Sequence, residues 1–163
     1  MIIRDALEGD LPAIIEIYNA AIRGRVSTAQ LDEVSLEERL PWFHEHSPKS
    51  HPLWVAEIDG AIAGWFSFHS YIKRAAYGAT AEVSVYVSER FRRRGVARAL
   101  LEKATADSPQ LKLAALIGNI FAHNAPSLRL FERMGFERWG FLPRVALVDG
   151  IERDLIVMGR HVA

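Results

Sequence analysis

The chain has no cysteine, which excludes disulfides, thiolate metal sites and a cysteine nucleophile. It has no excess of either charge, since 20 Lys and Arg stand against 20 Asp and Glu. No broad field therefore draws the molecule to nucleic acid or to an anionic membrane. No apolar run could span a bilayer, and the opening "MIIRDALEGD" lacks the apolar core of a secretory leader. "HExxH", "GxSxG", "GxxxxGK[ST]" and "GxGxxG" are all missing, which sets aside zincins, nucleophile elbows, P-loops and the dinucleotide fingerprint. The stretch "FHEHSPKSH" holds His44, His46 and His51, but no further ligands cluster with them and no metal is expected. What is present is an ordinary globular balance: 163 residues, 50% hydrophobic and 25% charged. The expectation is one cytoplasmic domain over residues 1–163, with no nucleic-acid or membrane partner.

The hydrophobic periodicity alternates between sheet and helix. "MIIRDA" reads as a first strand, and "EGDLPAIIEIYNAAIRG" as a helix with Asp10 as N-cap and Pro12 in its first turn. Leu11, Ile14, Ile15, Tyr18 and Ile22 share one face of it. In "SLEERLPWFHEHS", Ser35 precedes Glu38 by three residues, a capping box, although Pro41 interrupts the pattern. Two β-rich runs then meet at Asp59-Gly60, and two more at Asp149-Gly150. "GATAEVSVYVSE" alternates, with Glu82, Ser84 and Tyr86 on one face and Val83, Val85 and Val87 on the other. A helix follows to about Asp107, then the strand "LKLAALIG" and the helix "NAPSLRLFERMGF", closed by Gly135. The order is strand, two helices, three strands, helix, strand, helix, two strands. That predicts an α/β (α+β) domain: a mixed, largely antiparallel sheet of about seven strands with about four helices.

"ERFRRRGVARALLEKA" sets three consecutive arginines at the start of a helix. A helix N-terminus already carries unpaired N–H groups and about half a positive charge, so added cations there are unfavourable unless an anion sits on them. Strand, glycine-containing turn and helix together aim backbone N–H groups at one spot, which suits phosphate or pyrophosphate.

"EVSVYVSERFRRRGVARALLEKA" resembles the acetyl-CoA-binding motif of the GNAT superfamily of N-acetyltransferases, and "NAPSLRLFERMGF" resembles the superfamily's next motif. The resemblance covers nearly the whole chain and is greatest for the phosphinothricin and methionine-sulfoximine acetyltransferase branch, where "TAEVSVYV" is a characteristic phrase. It implies acetyl-CoA as co-substrate, the amino group of a small amino acid or analogue as acceptor, with a protein N-terminus or a polyamine as the rival, and often a homodimer, for which "RVALVDG" and "LIVMGR" are the apolar candidates. Amides of Arg92, Arg93, Arg94, Gly95, Val96 and Ala97 would hold the pyrophosphate, with the side chains of Arg92 and Arg94 nearby. The backbone of Val85, Tyr86 and Val87 would pair with the pantetheine arm, and Asn124 and Ser127 would touch the far end of the coenzyme. Arg25 to Leu31, which matches relatives at "ST", would form one wall of the acceptor site. Lys73, Arg74 and Tyr77, just before the base-bearing strand, would bind the carboxylate, or a γ-phosphinate or sulfone, of an amino-acid acceptor.

Acetyl transfer to an amine needs a base for the ammonium, a donor for the developing oxyanion and a route for the thiolate to leave. Glu82 is the candidate base, because glutamate is depleted in strands and this one lies beside the thioester arm. A backbone N–H near Val85 is the candidate oxyanion donor. Relatives place tyrosine or histidine as acid where this chain has Phe131, which can donate no proton. Water, Tyr86 or another group must then serve; water suffices for a thiol whose pKa is about 8.5. A non-catalytic acyl-CoA sensor is the competing reading, supported by Phe131 and opposed by Glu82.

Overall fold

The computed structural model describes residues 1–163, and its elements follow the expected order. Strand β1 (Ile2–Asp5) leads to helices α1 (Leu11–Gly24) and α2 (Leu36–His44). Strands β2 (Leu53–Ile58), β3 (Ala61–Ser70) and β4 (Thr80–Val87) follow. Helix α3 (Val96–Asp107), strand β5 (Ala115–Phe121) and helix α4 (Ala125–Arg133) precede the closing hairpin of β6 (Glu137–Val148) and β7 (Ile151–His161). The seven strands form one sheet in the order β1-β2-β3-β4-β5-β7-β6. Every pairing is antiparallel except β4 with β5. Both Asp-Gly turns have positive φ at both residues, the type I′ geometry that matches strand twist.

The sheet separates two apolar layers. Phe66, Phe68, Val83 and Leu116 face Leu100 and Leu101 of α3 and Leu128 and Phe131 of α4. Val55 and Trp65 face Leu11, Ile14 and Ile17 of α1, with Trp42 and Phe43 of α2 alongside. Ile17 joins the buried stripe of α1, while Ile15 and Tyr18 pack at its margin.

Two local readings are corrected. Asp10 does not cap α1, because Arg4 takes its carboxylate in a two-pronged pair at 2.7 and 3.0 Å and the Leu7 N–H takes it at 2.8 Å. Asp10 thus pins β1 to the turn before the helix. Pro41 lies inside an unbroken α2, whose start is secured by the Ser35–Glu38 capping box.

Candidate active site

At the start of α3 the chain passes through two left-handed residues, Arg93 (φ 61°) and Gly95 (φ 77°). The backbone N–H groups of residues 93–98 find no acceptor within the chain; the first helical bond there is from Ala99 N to Gly95 O at 3.0 Å. Six free donors at a helix N-terminus, with no acidic side chain in the first turn, make a concave anion site. The expected stretch shifts by one residue, since the Arg92 N–H already reaches Glu89 O at 3.4 Å, whereas Arg98 N–H is free. The guanidinium of Arg92 lies 3.6 Å from Glu89, and that of Arg94 stacks on Phe91. Val96 is buried against Gly64, where a Cβ would come within 2.9 Å of it. This close approach seats the turn on β3, beside the end of β4 where Gly64 pairs with Val87.

Strand β4 pairs with β5 only from Thr80 to Glu82, opposite Ala115 to Ile117, and beyond that point the two diverge. Ser88 N–H bonds Ala63 O at 2.8 Å, and the β3–β4 register continues unbroken from there. Antiparallel alternation therefore turns the peptide groups of Tyr86, Ser84 and Glu82 toward β3 and those of Val85 and Val87 toward the open edge. The main-chain contact expected of Tyr86 is thus corrected: its peptide is spent on Trp65. Val85 and Val87 are left to receive an extended ligand.

Glu82 sits at the vertex of this splay. Asn119, two residues past Ile117 on β5, donates from Nδ2 to Glu82 Oε1 at 3.0 Å, which orients the carboxylate. Glu82 shares its face with Ser84 and Tyr86, as expected, and that face looks toward α1 and α2. Opposite these residues in β3 stand His69, Ser67 and Trp65.

The far wall is aromatic. Tyr18 meets both Trp65 and Tyr86 edge-on, and Trp42 meets Trp65 and His46. Tyr86 Oη donates to Ser27 O at 3.4 Å, and Tyr18 and Thr28 share a hydroxyl bond of 3.1 Å. The "ST" pair within Arg25–Leu31 therefore does wall the cleft. Burial, with Tyr18 second, pushes the Tyr86 phenol above its ordinary value. Trp42 Nε1–H donates to His69 Nε2 at 3.3 Å. Burial pushes the His46 imidazole down to about 4, with the neighbouring His69 adding to the shift, and burial likewise lowers His69.

Phe131 does not enter the cleft. It is 3% exposed, packs on Phe136, and lies so close to Gly118 that a Cβ there would come within 2.7 Å of its ring. Asn124 caps α4 by accepting from Ser127 N–H at 3.3 Å. Lys73, Arg74 and Tyr77 all lie exposed on the β3–β4 connection, with Tyr77 against Tyr71. Sequence reasoning missed Asn119, His69 and Arg39. Asn119 left a signal, a lone exposed polar residue within the apolar run "ALIGNIF".

Residues 11–136 match the model of the acetyltransferase (GNAT) family. A Bacillus subtilis (strain 168) relative, "Putative phosphinothricin acetyltransferase YwnH", is 43% identical over 164 residues and 100% of both chains. The L-methionine sulfoximine/L-methionine sulfone acetyltransferase of Pseudomonas aeruginosa (strain PAO1) is 34% identical, over 96% of this chain and 91% of that one. The crystal structure of a GNAT superfamily phosphinothricin acetyltransferase from Sinorhizobium meliloti, in complex with acetyl-CoA, superposes with a TM-score of 0.93. It is 28% identical over 98% of this chain and 87% of that one.

Proposed function

The chain belongs to the GNAT acetyltransferase family and is an acetyl-CoA-dependent N-acetyltransferase, and from that premise we propose that its acceptor is the amino group of a small free amino acid, with Glu82 as the base. Acceptors of the methionine sulfone, methionine sulfoximine or phosphinothricin type suit this reading, which makes detoxification the role of the enzyme. The observation that carries it is the position of Glu82, held by Asn119 at the vertex where β4 and β5 part.

Acetyl-CoA supplies the activated acetyl thioester. The free N–H groups of residues 93–98 suit its pyrophosphate, and the open edge at Val85 and Val87 suits its peptide-like arm. Asn124 and Ser127, at the start of α4, bound the same side of the molecule as α3. Glu82 takes the ammonium proton, directly or through one water, and so frees the amine lone pair. The Val85 N–H is a fixed donor for negative charge developing on a carbonyl oxygen beside it. Neither Phe131 nor Tyr86 is assigned to the thiolate: Phe131 has no proton to give and is in the core, and burial makes Tyr86 hold its proton more tightly. Water fills that role. Lys73, Arg74 and Tyr77, exposed on the connection that leads into β4, suit the carboxylate, phosphinate or sulfone of such an acceptor.

Cytoplasmic residence is part of the proposal, because the co-substrate is an intracellular metabolite. So is a homodimer built on β6, the outer strand, where Phe141, Val145 and Leu147 are exposed. "LIVMGR" is not part of that surface, since Ile156 and Met158 are buried.

The test is thiol release from acetyl-CoA over a panel of free amino acids that includes these three compounds. Glu82→Gln is expected to lower kcat at least about 100-fold at neutral pH while CoA binding by calorimetry stays unchanged. Full turnover by the variant would remove Glu82 from the mechanism.

A further inference from the structure

Arg39, on the cleft-facing side of α2, is half-buried without an acidic partner. Arg4, Arg23 and Arg25 each pair with a carboxylate. Arg39 instead lays its guanidinium over Tyr18, 4.5 Å from the ring centroid, and over Trp42 at 5.1 Å. Stacking covers the faces of a guanidinium and leaves its N–H donors, which lie in the plane, available for a bidentate acceptor. Its helical position explains the placement: Ser35 fixes the start of α2, and Arg39 and Trp42, three apart, share the face turned to the cleft.

The surroundings tie Arg39 to the reacting centre. Trp42 bonds His69, and His69 is the cross-strand neighbour of Glu82. Tyr18, under the guanidinium, touches Tyr86, which follows Glu82 on the same face of β4. The ionisation of Tyr86 responds to both charges, opposed by Glu82 and eased by Arg39, so cation and carboxylate lie within electrostatic reach of one phenol. Arg39 also borders a narrow slot with Ile14, Ile15, Trp42 and Trp65.

The geometry points to Arg39 as the residue that recognises the α-carboxylate of the acceptor, while Glu82 faces its α-ammonium. The assignment rests on the amino-acid reading above and sharpens it. A free amino acid carries its two charges on one carbon, opposite in sign, as the cleft does in reverse. A peptide N-terminus or a polyamine has no carboxylate beside the amine and leaves a half-buried guanidinium without a partner, which disfavours both. Lys73 and Arg74, on the exposed connection, are left for the distal group of the side chain.

The experiment compares L-methionine sulfone with its carboxamide as acceptors for the full chain with acetyl-CoA. The wild type is expected to favour the acid, and Arg39→Gln to raise KM for the acid about 10- to 100-fold, with kcat within about 3-fold and KM for the amide unchanged. Arg39→Lys should recover part of the loss. CoA affinity and Tm of each variant show whether the fold is intact. An undiminished preference of Arg39→Gln for the acid overturns the assignment while the amino-acid reading stands. Equal use of acid and amide by the wild type does the same. A wild type that ignores every free amino acid but acetylates a peptide N-terminus overturns both.

Discussion

Phe131 shows how a motif position where an acid is expected can be structural in the molecule. Its ring fills the space above Gly118 and meets Phe136 at a centroid distance of 4.8 Å. A hydroxyl added at its tip would enter a dry core, where an unpartnered polar group costs about 1–3 kcal/mol. Phe131→Tyr is therefore expected to lower stability by that amount in urea unfolding and to leave kcat no higher. A gain in kcat would show that the helix can turn this residue into the cleft. Glu82, the base of the proposed mechanism, left a signal of another kind. Its identity was legible because a carboxylate in "TAEVSVYV" breaks the composition of a strand, but its partner Asn119 lies 37 positions away and meets it only through sheet pairing.

At the scale of elements, the anion site belongs to the junction of β4 and α3 more than to the arginine side chains. Gly95 has φ of 77° and nothing within 4 Å of an added Cβ, so a substitution there meets backbone strain alone, about 1–2 kcal/mol. Gly95→Ala is expected to weaken CoA binding about tenfold, read by calorimetry, with the KM of the acceptor little changed. Unchanged CoA affinity would mean that the free N–H groups of this turn do not hold the pyrophosphate. The strand–turn–helix pattern was readable from "VYVSERFRRRGVARALL", since turn chemistry is local. The divergence of β4 from β5 has no such local signal, because β4 reads as an even alternation and β5 as an apolar run, and neither marks where pairing stops.

For the whole molecule, the half-buried histidines between α2 and the sheet predict an acid-sensitive fold. Unfolded His46 takes up a proton near its usual pKa of 6.5, whereas folded His46 does so only at about 4. Unfolding therefore binds protons in this window, and stability falls as pH drops from about 6.5 toward 4, by up to about 1 kcal/mol per unit for this group. His69 and His51 are lowered as well and act in the same direction. Urea midpoints at pH 7 and pH 5 should show the loss, and His46→Gln should flatten it; an equal slope in the variant would place the acid sensitivity elsewhere. The outer face of β6 carries the assembly prediction. Leu147 is 63% exposed and Val145 55%, so Leu147→Asp is expected to convert a homodimer to monomer in sedimentation analysis with Tm nearly unchanged. A monomeric wild type would refute the assembly.

The sequence by itself determined the order of elements, both Asp-Gly hairpins, the capping box at Ser35, the strand–turn–helix at Gly95 and the family. All of these rest on residues close together in the chain, where periodicity, turn chemistry and motif spacing act. Only the tertiary structure decided that Arg4 takes Asp10 from its helix, that Val85 and Val87 rather than Tyr86 face the open edge, and that Phe131 is core. It alone brought Asn119 to Glu82 and Arg39 onto Tyr18 and Trp42. These outcomes depend on strand register and on which helix covers which face of the sheet, and such relations are set by packing between segments far apart in sequence.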